Sequence, residues 1–108
     1  VEEVIYPFLE SNSQYNLAQK QMNMPMGMFT VRLRCKEITK LKQFCESLQY
    51  FLIAVSWGGY ESLIMPKCAF VAEDDNNVNL IRFYIGLEEA DVLIQDIKNA
   101  FSVFDTVQ

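Results

Sequence analysis

The sequence predicts an α+β domain of two layers, a small, mostly antiparallel sheet with helices on one face. Three observations lead there. Segments that alternate apolar and polar residues at period two stand beside segments whose apolar residues recur at three and four, so strands and amphipathic helices coexist. The strands are segregated and bounded by the helices, the arrangement of a sheet covered on one face. A length of 108 residues with 51% hydrophobic and 13% aromatic content is enough for one core, which implies a single domain over residues 1–108.

In chain order, "ESNSQYNLAQKQM" begins with Asn, Ser and Gln, which suit a helix start, and continues through the helix formers Leu17, Ala18, Gln19, Lys20 and Gln21. Pro25 and Gly27 end that short helix. "MFTVRLR" then sets Phe29, Val31 and Leu33 against Thr30, Arg32 and Arg34, the period of a half-buried strand. From Glu37 to Leu48 the residues Ile38, Leu41, Phe44, Cys45 and Leu48 share one helical stripe. "YFLIAVS" is a continuous apolar run closed by Gly58 and Gly59, expected as a strand buried on both faces, and "SLIMP" is a further short strand ended by Pro66.

The acidic, aperiodic "AEDDNNVN" is expected as an exposed loop. In "LIRFYIG" the residues Ile81, Phe83 and Ile85 face one way, and Leu80, Arg82 and Tyr84 the other. The last helix, of about four turns, carries Ala90, Leu93, Ile94, Ile97, Phe101 and Phe104 at helical spacing. Glu88, Glu89 and Asp91 lie in its first turn, where the helix dipole favours acids. The face bearing Leu80, Arg82 and Tyr84 is too mixed for simple solvent exposure and points to a site or a partner surface.

A net charge of −5, from 14 acids and 9 bases, repels a phosphate backbone, so nucleic acid is not an expected partner. Arg32, Arg34 and Lys36 alternate in sequence and do not build a basic patch. Three cysteines without CxxC spacing, and no histidine, disfavour a disulfide framework and a zinc site. The contiguous Glu73, Asp74 and Asp75 lack the alternation of a calcium loop, so no metal is expected. Cys45 reads as a small core residue, since no histidine exists to activate it. Reduced thiols suit a cytoplasmic location. No apolar run approaches the ~20 residues that span a bilayer, so no membrane is expected either. The first residue is Val, and the expectation is a chain cut from something longer.

Ordinary catalytic signatures are absent: no histidine-based triad, no phosphate-cradling loop, no GxGxxG. What remains is Ser56 at a strand end ahead of Gly58 and Gly59, and Arg82 inside a later strand. A hydroxyl and backbone N–H groups at a glycine turn, with a guanidinium fork, would make a carboxylate pocket. The plainer alternative gives the glycines a tight turn and Arg82 a surface ion pair. Lys67, the type of residue that can form a Schiff base, shows no sign of activation in "MPKCA" and reads as solvated.

Read in order, "VIYPFLESNSQYNLAQKQM", "GMFTVRLR", "AVSWGGYESLIMP" and "LIRFYIGLEEADVLIQDIKNAF" resemble the C-terminal portion of the pyridoxal-phosphate-dependent Cys/Met metabolism enzymes, the transsulfuration family of cystathionine synthases, cystathionine lyases and methionine lyase. The family pattern is approximately YPGL, SHPQHELAKRQM, GGMxSF, SLGGxESL and IRLSVGLE, and the match runs from about Val4 to Phe101. The resemblance implies the small C-terminal domain of a fold-type I enzyme, in which Ser56 and Arg82 hold the substrate's α-carboxylate. Trp57 and Glu61 then become candidates for the substrate pocket, Glu61 toward the distal end of the substrate in some branches.

It further implies that the cofactor lysine and phosphate cradle belong to a large domain upstream. Pyridoxal 5'-phosphate is then expected in the full-length enzyme and not on this chain, which holds no catalytic residue of its own. An amino acid is the expected substrate, the parent is expected to be a homotetramer, and the isolated segment to self-associate through its uncovered face.

Departures from the pattern leave the reaction subtype open. Asn12 and Tyr15 stand where histidines are usual, Phe8 replaces the glycine of YPGL, Met26 stands where a second glycine is common, Trp57 replaces a leucine, and "MPKCAF" stands where many members have an HPA segment. The rival expectation, from a different class, is a stand-alone α+β module that binds a small ligand or dimerises.

Overall fold

The middle strand of the sheet, β5 (Leu80–Tyr84), alternates as expected: Ile81 and Phe83 are buried while Leu80, Arg82 and Tyr84 are half-buried. The computed structural model describes residues 1–105. In it β5 pairs antiparallel with β2 (Met28–Arg32) on one side and with β4 (Leu63–Pro66) on the other. Two short strands complete a sheet of order β1-β2-β5-β4-β3: β1 (Glu3–Ile5), antiparallel to β2, and β3 (Leu52–Ile53), parallel to β4. The helices are α1 (Tyr15–Gln21), α2 (Ile38–Ser47) and α3 (Ala90–Ala100), with 3₁₀ turns at Lys67–Ala69 and Phe101–Asp105. The chain is an α+β domain with a mostly antiparallel sheet, as the patterning predicts.

One sheet face and the apolar stripes of α2 and α3 form the core. Val31, Ile64, Ile81 and Phe83 from the strands meet Leu41, Phe44, Cys45 and Leu93 from the helices. Phe83 stacks on Phe29 at 5.2 Å between ring centroids and meets Phe51 edge-to-face at 5.3 Å. Phe44, fully buried, packs against Phe101 at 5.0 Å and Phe104 at 5.5 Å. Burial pushes the Cys45 thiol up to about 12, so it behaves as the small apolar residue its stripe position suggests.

The structure corrects several expectations. "YFLIAVS" is not buried on both faces: β3 is a two-residue edge strand whose Leu52 and Ile53 are 55% and 54% exposed, and only Phe51 before it enters the core. An apolar run without alternation cannot tell a central strand from an uncovered edge. The α-helical part of the last helix stops at Ala100, and the chain tightens into 3₁₀ geometry through Asp105. Its buried face carries Leu93, Asp96 and Ala100, while Ala90 and Ile94 are exposed. The acidic loop is exposed only in part, because Val78 and Asn79 at its end are buried. Asn79 donates its amide to the Leu33 carbonyl and accepts from Arg32 Nη1 at 3.2 Å. Strand β1, with no alternation of its own, has no counterpart in the sequence reading. Its Glu3 meets Arg32 Nε at 3.5 Å, the one ion pair among the described residues.

Asp96 is the acid hidden in an apolar stripe. Its carboxylate accepts from the Gln49 N–H at 2.9 and 3.1 Å and from the Tyr50 N–H at 2.8 Å, so it ties α3 to the segment following α2. Hydrogen bonds to a charged acceptor contribute about 1.5–3 kcal/mol each when partly buried. Asp96→Ala is therefore expected to destabilise the fold by about 2–3 kcal/mol, measured as a lower urea midpoint at unchanged m-value.

Candidate functional site

Because β5 buries Ile81 and Phe83, Arg82 projects from the opposite, open sheet face. It lies in register with Thr30 on β2 and Met65 on β4. With Lys67 and Leu80 these residues line a shallow groove of about 190 Å³. Lys67 is half-buried there, not fully solvated as expected.

The segment leaving β3 reaches this groove. Ala54 N–H still pairs with the Ile64 carbonyl at 2.9 Å, and the carbonyls of the next two residues turn toward Arg82. Arg82 Nη2 donates to the Val55 carbonyl and, at 3.3 Å, to the Ser56 carbonyl. The fold thus brings positions 56 and 82 together through the Ser56 backbone. The Ser56 hydroxyl is exposed and has no protein partner among the described residues. Arg82 makes no ion pair among them, and its Nε and Nη1 donors are not used by the protein there.

Beyond Ser56 the chain bulges into solvent. Trp57 is 57% exposed, and Tyr60 and Glu61 are exposed beside it. Gly58 adopts φ +88°, a left-handed conformation that L side chains rarely enter. A Cβ at either Gly58 or Gly59 would meet nothing within 4 Å, so the pair serves backbone shape and not close packing. Trp57 and Glu61 stand outside the residues lining the Arg82 groove.

The far end of the turn is clamped, a feature the sequence reading missed. Fully buried Ser62 donates its hydroxyl to Glu88 Oε1 at 2.7 Å and its N–H to Glu88 Oε2 at 3.2 Å. Gly86 N–H donates to the same hydroxyl oxygen at 2.8 Å, and Leu87 N–H to the Tyr60 carbonyl at 2.9 Å. A Cβ at Gly86 would stand 2.3 Å from the Tyr60 carbonyl oxygen and 2.7 Å from Ser62 N, so only glycine allows this approach. Glu88 was expected in the first helical turn; it precedes α3 and faces Ser62 instead. A glycine just past a strand was the available signal.

A second concavity, of about 410 Å³, is lined by Val4, Tyr6, Leu9, Met26, Gly27, Phe29 and Ile85. It holds no charged side chain and suits apolar contact rather than an amino acid. The Arg82 groove, for its part, offers no ring to stack on a pyridine and no carboxylate for its nitrogen, so it does not fit pyridoxal phosphate.

Residues 1–102 match the family of Cys/Met metabolism PLP-dependent enzymes. The chain is 37% identical to cystathionine gamma-lyase of Mus musculus and 36% identical to L-methionine gamma-lyase of Pseudomonas putida, each over 93% of this chain and 27% of the relative. Among solved structures it is similar to cystathionine gamma synthase from Xanthomonas oryzae pv. oryzae in complex with cystathionine. That likeness has a TM-score of 0.82 at 29% identity, over 97% of this chain and 30% of that one. It is likewise similar to cystathionine gamma-lyase from Lactobacillus plantarum complexed with L-serine, with a TM-score of 0.80 at 26% identity, over 95% of this chain and 29% of that one. The chain therefore spans little more than a quarter of the length of the curated relatives it matches.

The hydrogen bond from Ser62, with lesser help from backbone N–H groups, holds the Glu88 carboxyl below its ordinary 4.5. A carboxylate with a lowered folded-state pKa stabilises the fold above its unfolded pKa, and that stability disappears as pH falls through the folded value. The stability gap between wild type and Glu88→Gln is expected to be full at pH 6 and to close as pH falls below about 4, read from urea midpoints across that range.

Proposed function

The chain belongs to the family of Cys/Met metabolism PLP-dependent enzymes, and from that membership we propose that it is the C-terminal part of a longer enzyme, holding the α-carboxylate of a sulfur amino acid. One observation supports this reading above the others: Arg82 is committed to the backbone of residues 55 and 56 through Nη2 only, with Nε and Nη1 left for an outside acceptor. Nε and Nη1 point to different edges of the guanidinium, so a carboxylate takes a charge-assisted hydrogen bond from one of them and engages the fork bidentately only by sharing Nη2 with the backbone carbonyls. The exposed Ser56 hydroxyl is the added donor. The bonds to the Val55 and Ser56 carbonyls fix the plane of the fork, so the carboxylate is oriented as well as bound.

In this reading the chain contributes binding and orientation. The pyridoxal phosphate on which the family depends sits on the upstream part of the protein, since the groove here does not fit it. Trp57 and Glu61 face the rest of the amino acid and set which side chain is accepted. Three free cysteines suit a reducing, cytoplasmic location.

A second reading, a self-sufficient binding or dimerisation module, draws on the exposed Leu52, Ile53, Val55 and Trp57 along one edge. Such apolar surface seldom stays bare. Isothermal titration of the chain with cysteine, methionine and cystathionine separates the two: heat of binding to the chain alone favours the module, and none favours the domain of a larger enzyme.

In the full-length protein, Arg82→Ala is expected to weaken amino-acid binding by about 1–3 kcal/mol, seen as a raised KM. An unchanged KM would refute the carboxylate role.

A further inference from the structure

We propose that Glu88 is a positioning residue for ligand binding, acting through Ser62 to hold the Ser56–Glu61 turn against Arg82; this rests on the carboxylate reading above. The turn has little to hold it in place along its length. Trp57 through Glu61 are exposed, and the space around Gly58 and Gly59 is open. Its order comes from its two ends. At the first, Ala54 pairs with β4, and Arg82 grips the Val55 and Ser56 carbonyls. At the second, the Tyr60 carbonyl takes the Leu87 N–H, and Ser62 takes Glu88 and Gly86.

The second anchor is a relay. The single hydroxyl proton of Ser62 goes to Glu88 Oε1 at 2.7 Å, which aims a lone pair of the same oxygen at the Gly86 N–H, 2.8 Å away. Glu88 Oε2 then takes the Ser62 N–H at 3.2 Å. Ser62 is fully buried beneath Glu88, so removing the carboxylate takes the charged acceptor from both its hydroxyl and its N–H. Gly86 fits against Tyr60 and Ser62 only at this close approach, so without the relay the return limb is left to the Leu87–Tyr60 and Leu52–Ser62 backbone bonds. The first anchor then carries more of the turn, and the Val55 and Ser56 carbonyls hold the Arg82 fork less firmly. A simple helix-dipole role does not account for Glu88. The acid of α3's first turn is Asp91, and both Glu88 oxygens are directed at one residue of the turn.

The test compares Arg82→Ala, Glu88→Gln and Glu88→Ala in the full-length enzyme, with steady-state kinetics on cystathionine. In parallel, the steady-state anisotropy of Trp57, the single tryptophan of the 108-residue chain, is followed in that chain. A positioning role gives Glu88→Ala a KM raised about tenfold with kcat within about twofold, the scale of one charge-assisted hydrogen bond. Glu88→Gln, which keeps an acceptor for the hydroxyl, gives a smaller rise, and Trp57 anisotropy falls in the same order. If Glu88→Ala does not fold, Ser62→Ala, which removes the hydroxyl but keeps the position-62 N–H on Glu88, carries the same expectation. A raised KM in Arg82→Ala with wild-type KM in both Glu88 variants overturns this inference and leaves the carboxylate reading standing, even if their melting temperatures fall. A wild-type KM in Arg82→Ala removes the reading, and the inference with it.

Discussion

The site depends on the alternation of β5. Burying Ile81 and Phe83, at 1% and 2% exposure, obliges the residue between them to face the other way. A slip of one residue would drive a guanidinium into the aromatic layer of Phe29, Phe51 and Phe83 and expel a phenyl ring to solvent. Antiparallel partners on both sides hold the register, with Thr30 and Met65 opposite Arg82. The position of the Arg82 guanidinium is therefore a by-product of core packing.

The partner half of the site has a different origin. Ser56 belongs to a stretch that has left the sheet, and its place is set by hydrogen bonds from Arg82, Leu87 and Gly86 and by the Glu88 carboxylate, which accepts from Ser62. A packed strand is thus paired with a tethered turn. The protein as a whole is acidic, at −5, yet the groove lining carries Arg82 and Lys67 and no acid. An anion drawn there meets a local field opposite to the average one, whose longer-range repulsion is screened over about 10 Å at ordinary ionic strength.

Much of this could be read from the residues. The period-two segments at Phe29–Leu33 and Ile81–Ile85 and the stripe Leu41–Phe44–Cys45–Leu48 announce their own burial, because side-chain direction in a regular element follows from spacing alone. The juxtaposition of positions 56 and 82 rested on resemblance, since no spacing rule reaches across strands of unknown order. Three features escaped for physical reasons. The β3 run is apolar on an edge, where nothing described covers it. Asp96 is buried because backbone N–H groups following α2 satisfy it, a tertiary match invisible to periodicity. Glu88 looked like an acid at a helix start, where dipole chemistry gives a sufficient explanation, and only the fold shows Ser62 within its reach.

The left-handed glycine and its neighbour, projecting into empty space, separate two kinds of evolutionary pressure. Apart from Gly58, whose left-handed backbone resists any side chain, positions 57 to 61 can change size, charge or shape without meeting the body of the domain, so drift there exacts almost no toll in folding. Lineages sharing this scaffold could diversify what they accept by rewriting that short bulge while the frame beneath stayed fixed.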